Sequence, residues 1–314
     1  MAQIPEDIDV FISEVGPRDG LQNAKGIMAT KDKLAWIEAE AAAGVREIEV
    51  CSFVPPKLIP AMADANEVTK AALRIGGLTV LALVPNYRGA ESAFKAGVHK
   101  ITIPISVSES HSIANVRKNH AEMLDEVRRI CELRDSLPDG YRPSVETGLP
   151  TAFGCSIEGK VPESQVVRLA AAVAKAGVDE IGLSDTVGYA NPAQIKSVFK
   201  AVRAEIGDKL GGAHLHNTLG LGLANAFAAL EVGVRTFDSS LGGLGGCPFA
   251  PGASGNVVTE DLVFMFEAQG LRTGIDLEKL MAVRDIVARA LPDDELYGYV
   301  PNAGVPKGFK QAAA

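Results

Sequence analysis

The sequence predicts a (β/α)8 TIM barrel, an α/β fold with its active site at the C-terminal ends of the strands. Three observations carry this: glycine-marked helix-to-strand junctions, eight candidate strands in about 270 residues, and polar residues gathered where those strands end. Ala43-Gly44-Val45 leads to EIEVCSF, Ala96-Gly97-Val98 to KITIPIS, Ala176-Gly177-Val178 to EIGLSDT, and Val232-Gly233-Val234 to TFDSSL. Glycine just past an Ala-rich amphipathic run ends a helix by taking the left-handed conformation, and the β-branched run after it suits a strand covered on both faces.

In chain order the first strand, Val10 to Val15, opens the repeat. The second (Glu47 to Phe53), fourth (Lys100 to Ser106), sixth (Glu180 to Thr186) and eighth (Thr236 to Leu241) follow the glycine junctions. The third (Thr79 to Val84), fifth (Ser144 to Thr151) and seventh (Gly212 to His216) are short runs that fill the alternation. Helical patterns separate them, as at Lys31 to Ala43, Ser164 to Ala176, Ala193 to Ile206 and Leu221 to Glu231. A doubly wound open sheet shares this alternation, but no glycine-rich dinucleotide fingerprint follows the first strand. The expected organisation is one catalytic domain over 1–314, with a short C-terminal extension over 275–314. In such a barrel the strand interiors should be apolar and the polar residues confined to the strand ends.

Composition bounds the function. The chain has 314 residues, 47% of them hydrophobic, and no apolar stretch of membrane-spanning length. Met1 to Val10 has neither the basic-then-apolar pattern of a secretory signal nor an Arg-rich transit pattern, so the cytoplasm is the expected location. Cys51, Cys131, Cys155 and Cys247 are scattered without paired spacing, which argues against a disulfide framework or a zinc ribbon. A net charge of -8 without any long Lys/Arg run provides no broad basic face for nucleic acid or anionic lipid.

His214 and His216 lie two apart on a strand and therefore face the same side. Two imidazoles aimed together suit a metal. Asp19, at the end of the first strand, would meet them at the barrel mouth, because strands one and seven both flank strand eight. Asn256 either completes this oxygen and nitrogen set or simply caps the following helix. Asp19 also has a structural alternative, an ion pair with Arg18. A donor set without thiolate points to Mg or Mn, with Zn or Co as alternatives, and leaves positions for substrate. Glu49, inside an otherwise apolar strand, needs a partner or a catalytic role. Arg18 offers an anion clamp or oxyanion stabiliser. The glycine-rich stretch from Gly242 to Asn256 reads as a functional loop, in which Cys247 is placed to give or take a proton. Cys51, Cys131 and Cys155 read as small buried hydrophobes.

GPRDGLQN at 16–23, SFVPPKLIPAMAD at 52–64, SDTVG at 184–188, HLH at 214–216 and GGLGGCPFAPGASGNVVTEDLV at 242–263 together resemble 3-hydroxy-3-methylglutaryl-CoA lyase, over nearly the whole chain. RDGxQ and HxH mark only a wider superfamily of metal-dependent barrels that includes isopropylmalate, homocitrate and citramalate synthases; the GGLGGCP loop is far more specific. The resemblance implies a divalent metal on Asp19, His214, His216 and Asn256, with Arg18, Glu49, Asp185 and Cys247 in the active site. It also implies an acyl-CoA substrate cleaved to acetyl-CoA and acetoacetate, and a homodimer. Gln22, Lys57 and Asn86 are candidate substrate contacts.

Departures from that pattern bear on substrate. Asn217 follows HxH where such lyases carry Asp, His111, Arg117 and Lys118 are added after the fourth strand, and Cys155-Ser156-Ile157-Glu158-Gly159 replaces a Cys-Pro-Tyr-Glu-Gly turn. Citramalyl-CoA, a synthase running the condensation, and a non-catalytic acyl-CoA-binding barrel are therefore the alternatives.

Overall fold

The computed structural model describes residues 4–245 and 255–312. Among them are eight parallel strands: β1 (Phe11–Glu14), β2 (Glu47–Ser52), β3 (Thr79–Leu83), β4 (Lys100–Pro104), β5 (Ser144–Leu149), β6 (Glu180–Asp185), β7 (Leu210–Leu215) and β8 (Thr236–Ser239). They close a barrel in chain order, and β8 returns to pair with β1 from Phe11↔Thr236 to Glu14↔Ser239. The crossovers carry α1 (Thr30–Ala42), α2 (Ala65–Ala72), α3 (Tyr87–Ala96), α4 (Glu109–Val116), α5 (His120–Asp135), α6 (Glu163–Lys175), α7 (Pro192–Ile206) and α8 (Gly222–Glu231). After β8 come α9 (Thr259–Glu267), α10 (Leu277–Ala290) and α11 (Tyr299–Ala303). Two helices, α4 and α5, share the fourth crossover. No helix among the described residues is long and apolar enough to cross a membrane.

The junction glycines do what their positions predict. Gly44, Gly97, Gly177 and Gly233 have φ of 105°, 94°, 105° and 88°, a region closed to most L-residues. The strand residues that face the helices, such as Ile48, Val80, Ile101, Val145, Ile181 and Phe237, are buried and form the apolar core between barrel and helical shell. Residues of the C-terminal extension dock on this shell. Gln311 Oε1 accepts from the Leu277 amide at 3.0 Å, and the Ala312 amide donates to Glu267 Oε2 at 2.7 Å.

The barrel interior departs from the apolar filling expected of it. Lys100 on β4 points inward, and its Nζ lies 2.7 Å from Glu146 on β5, 3.4 Å from Glu47 on β2 and 3.3 Å from Glu180 on β6. All four side chains are buried or nearly so. A charge in this position is tolerable only if it is paired, so one ammonium is clasped by three strands. Burial opposes the Lys100 charge, but Glu146, Glu47 and Glu180 outweigh it and raise its pKa well above the usual lysine value. Burial pushes the Glu146 carboxyl up to about 8 against the pull of Lys100, and raises Glu47 in the same way. The interior is thus a paired polar layer, its surplus of carboxyls over cations offset by their raised pKa values, which the one-strand-at-a-time hydrophobic pattern does not reveal.

Lys100→Met should strand these carboxylates and destabilise the fold by about 3–5 kcal/mol, the cost of breaking a buried ion pair from one side. Urea unfolding at neutral pH measures this, and a loss within error of zero would show that the cluster is solvated.

Candidate active site at the strand ends

Immediately after β1 the chain makes a single π-helical turn, Gly16–Gly20, in which the Leu21 amide reaches back to the Gly16 carbonyl. Such wide turns are rare and concentrate at functional sites. This one aims Arg18 and Asp19 into the mouth of the barrel. Arg18 Nε donates to Glu49 Oε2 at 2.5 Å and its Nη1 to Asp19 Oδ1 at 2.6 Å, so one buried guanidinium binds carboxylates from the ends of β1 and β2. The ion pair with Arg18 and a place among the imidazoles are both realised for Asp19.

The turn is braced from behind by Glu14, which is fully buried. Its Oε1 accepts from the amides of Gly16 at 2.8 Å and Leu241 at 2.9 Å, and its Oε2 from Thr259 Oγ1 at 2.7 Å. One carboxyl therefore ties the exit of β1 to the exit of β8 and to the first residue of α9. At Gly16 a Cβ would stand 2.5 Å from Glu14 Oε1, so the turn needs glycine to accept this brace.

His214 on β7 and His216 just beyond it present their Nε2 atoms 3.2 Å apart, and one ligand atom each from Asp19, His214 and His216 lie within 4.8 Å of one another. His214 Nδ1 lies 3.1 Å from Asp238 Oδ2 on β8. With Nδ1–H donating to that carboxylate, the Nε2 lone pair turns toward Asp19, the arrangement that metal-ligating histidines commonly use. His216 pairs with Asn256 in an antiparallel bridge, which brings Asn256 beside Asp19, and Asn256 Nδ2 donates to Asp19 Oδ2 at 2.6 Å and to the Leu244 carbonyl at 3.0 Å. Asn256 is not the helix cap: α9 begins at Thr259, preceded by Val258. Gly245, with φ 100°, closes over these groups, and a Cβ there would be 2.6 Å from Asn256 Nδ2 and 2.8 Å from Asp19 Oδ2.

The electrostatics fit a cation. Burial pushes Asp19 up, but Arg18, His214 and His216 outweigh it and hold its carboxyl below the usual aspartate range. Burial, then the charge of His214, lowers His216 to about 4, so its imidazole is neutral at physiological pH. Burial also disfavours a charged His214, yet the Asp238 hydrogen bond and charge raise it above the ordinary value. Asn256 Oδ1 and His216 Nδ1 are buried without a hydrogen-bond partner among the described residues. An orphaned Asn256 oxygen beside an anionic carboxylate and two facing imidazole nitrogens is what a divalent ion would satisfy.

These groups form one wall of a cavity of about 640 Å³. Arg18, Asp19, Gln22, Glu49, Asn86, His214 and His216 all line it. Asn86 also caps α3, its Oδ1 accepting from the Gly89 amide at 3.0 Å. Lys57 is exposed and not among the lining residues. Asp185 is spent elsewhere: its oxygens accept from the Tyr189 amide at 3.0 Å and the Ala190 amide at 3.1 Å, so it braces the turn after β6 while Ser184 and Thr186 face the cavity. Burial nevertheless pushes its carboxyl up to about 6. Cys247 lies outside the described residues. Cys51, Cys131 and Cys155 are buried. Sequence reading missed Asp238 and Glu14. Glu14 closes the short run Phe11-Ile12-Ser13, a weaker form of the signal that marked Glu49, whereas Asp238 sits among Thr236, Phe237 and Ser239 and carries no such contrast.

Fold and site together define a class: a (β/α)8 barrel with a carboxylate and two imidazoles at the strand ends that could hold a metal, set in the wall of a deep cavity. Comparison with known proteins narrows it. A family profile described as HMGL-like matches residues 9–287. The chain is 42% identical over 299 residues to the hydroxymethylglutaryl-CoA lyase YngG of Bacillus subtilis (strain 168), covering 93% of this chain and 98% of that protein. It is 39% identical over 292 residues to the (R)-citramalyl-CoA lyase of Chloroflexus aurantiacus, covering 90% and 91%. The crystal structure of an HMG-CoA lyase from Acinetobacter baumannii in complex with coenzyme A and 3-methylmalate superposes with a TM-score of 0.89 at 37% identity, covering 98% of this chain and 99% of that one. The chain belongs to the HMGL-like family of enzymes.

Two measurements follow. Asp238→Asn should weaken Mn binding ~10–100-fold by removing the carboxylate that orients His214; calorimetric titration that finds unchanged affinity would remove Asp238 from the site. Burial pushes the Glu14 carboxyl up to about 8 in the folded state, against an ordinary value of 4.5. The folded chain therefore binds the extra proton between those values. The resulting stability is fully present below pH 4.5 and is lost as pH rises through about 8. Glu14→Gln, which keeps the neutral shape, should flatten that slope in unfolding experiments across this range.

Proposed function

We propose that this protein cleaves 3-hydroxy-3-methylglutaryl-CoA to acetyl-CoA and acetoacetate. The observation that carries this reading is the single cluster of Arg18, Asp19, Glu49, His214 and His216 in one cavity wall, on a chain of this family. A retro-Claisen cleavage must remove the proton of a tertiary hydroxyl, stabilise a thioester enolate as the C2–C3 bond breaks, and then protonate C2. The cluster contains a group for each early task, and Cys247 is assigned the last.

Asp19, His214, His216 and Asn256 would hold the divalent cation, Mg or Mn in our reading with Zn or Co as alternatives, and such an ion supplies Lewis acidity toward the substrate's oxygens. The hydroxyl proton passes to Glu49. Glu49 lines the cavity; its Oε2 is engaged by Arg18, whereas its Oε1 is buried and has no hydrogen-bond partner among the described residues. Burial pushes this carboxyl up to about 7, opposed by Arg18, which suits a group that accepts and returns a proton near neutral pH. As the C2–C3 electron pair moves onto the acetyl fragment, C3 becomes the ketone of acetoacetate and negative charge builds on the thioester oxygen. Arg18, held rigidly between two carboxylates, keeps further N–H donors for that oxygen. Cys247 delivers the proton to C2 from the glycine-rich loop.

The second reading, citramalyl-CoA cleaved to acetyl-CoA and pyruvate, rests on the Chloroflexus relative. An assay with Mg or Mn and either thioester separates the two. Acetoacetate release that a chelator abolishes supports the first; pyruvate release with silence from the first thioester replaces the substrate; silence from both overturns cleavage. Glu49→Gln should lower kcat ~10²–10⁴-fold with metal binding retained. Cys247→Ala should still bind the thioester and lose most turnover, and an unchanged kcat would remove Cys247 from the chemistry.

A further inference from the structure

The cavity continues below the metal-binding side chains. Its lining includes Glu146, Gly182 and Gly212, each two residues before Gly148, Ser184 and His214 on the inward face of β5, β6 and β7. Inward positions at this depth of a TIM barrel are usually filled by bulky branched side chains. Here Gly182 and Gly212 stand at that depth on β6 and β7, and Gly148 stands one layer nearer the mouth on β5.

The three glycines differ in cause. A Cβ on Gly182 would come within 3.1 Å of Glu146 Oε1, and one on Gly212 within 3.1 Å of the Thr236 carbonyl, so a side chain at either is tight and a neighbour would have to shift. Gly148 is under no such demand. Its φ lies outside the left-handed region, and the nearest atoms to an added Cβ are Thr102 Cγ2 at 3.8 Å and Ser184 Oγ at 3.9 Å, ordinary contact distances. Neither conformation nor crowding requires glycine there, and its consequence is open volume. Ser184 pairs in register with His214, so that volume adjoins the candidate metal site. The walls of the cavity include Leu81, Leu83 and Pro104. That it receives a ligand has separate support in Glu49, a lining residue whose Oε1 is buried and unpartnered among the described residues.

We infer that Gly148 widens the acyl site for 3-hydroxyacyl-CoA thioesters whose C3 carries an alkyl branch longer than methyl. This rests on the proposed cleavage reaction and extends its substrate class. The reaction is unchanged: the C2–C3 bond breaks, the hydroxyl proton passes to the base, C2 gains a proton, and a longer 3-oxo acid leaves in place of acetoacetate. Gly148 acts on specificity, through volume alone.

The test is kcat and KM of the wild type, Gly148→Ala and Gly148→Val with the 3-methyl thioester and with 3-ethyl and 3-isobutyl analogues of the same 3-hydroxyglutaryl-CoA, together with equilibrium binding of each. The wild type should cleave the longer-branched thioesters with kcat/KM at least equal to that for the methyl compound. Gly148→Val should lower kcat/KM for the longer branches by about 10–200-fold, mainly through KM, and leave the methyl compound within about threefold. Gly148→Ala should fall between, and its retained Tm guards against misfolding, since Ala is compatible with this backbone. Cleavage of the methyl thioester alone by the wild type, or equal losses on all three in Gly148→Val, would overturn the assignment. If no thioester is cleaved the proposed reaction fails, and binding then decides the pocket: tight binding of the longer branches, weakened by Gly148→Val, upholds it, and no preference between branches overturns it.

Discussion

Arg18 pairs with two buried carboxylates, one in the turn after β1 and one on β2, and much of the site follows from that constraint. Glu49 and Asp19 cannot both be charged at the barrel mouth without a cation between them, and a guanidinium with fixed, forked donors holds both at once. Asp19 is thereby kept anionic beside two imidazoles, and Glu49 is left with one engaged and one unengaged oxygen. A related rule operates one level down, where Lys100 offsets part of the charge of Glu146, Glu47 and Glu180 while burial favours their protonated forms, and beside the imidazoles, where Asp238 orients His214. The barrel interior is a stack of paired charges inside an apolar shell. Each functional side chain stands where its partner can reach it.

A second constraint is closure. Because β8 returns to β1, groups far apart in sequence become neighbours: Glu14 with Leu241 and Thr259, Asp19 with Asn256, and His214 with Asp238. Glu14 couples the exits of the first and last strands through hydrogen bonds with no freedom to slide, so the π turn that carries Arg18 and Asp19 is set by the barrel seam. Gly245 then lets the backbone cover Asp19 and Asn256 at a distance a Cβ would not tolerate.

The fold was legible because its signals are local. Glycine after an Ala-rich helix and a β-branched run after the glycine are read within ten residues, and the strands they mark appear within a few residues of where they were placed. His214 and His216 were legible for a similar reason: period two puts them on one face whatever surrounds them. Asn256 stayed ambiguous between cap and ligand because both need the same residue type, and the bridge to His216 settled its neighbours. Asp185 looked like its companions in a polar strand end. Its carboxylate turns instead to the amides of Tyr189 and Ala190, a choice made by local backbone geometry. The polar interior was illegible because Lys100, Glu47, Glu146 and Glu180 each look like isolated charges in separate strands.

The sequence by itself determined the element order, the barrel class and the residue types gathered at the strand ends, since these depend on backbone preferences and side-chain period over short spans. Only the tertiary structure decided which charge pairs with which, that Asp238 orients His214, and that Gly148 leaves open volume where Gly182 and Gly212 are tightly packed. Pairing and free volume belong to strands brought together across the barrel, and the register that joins them is a property of the closed sheet, absent from any one segment.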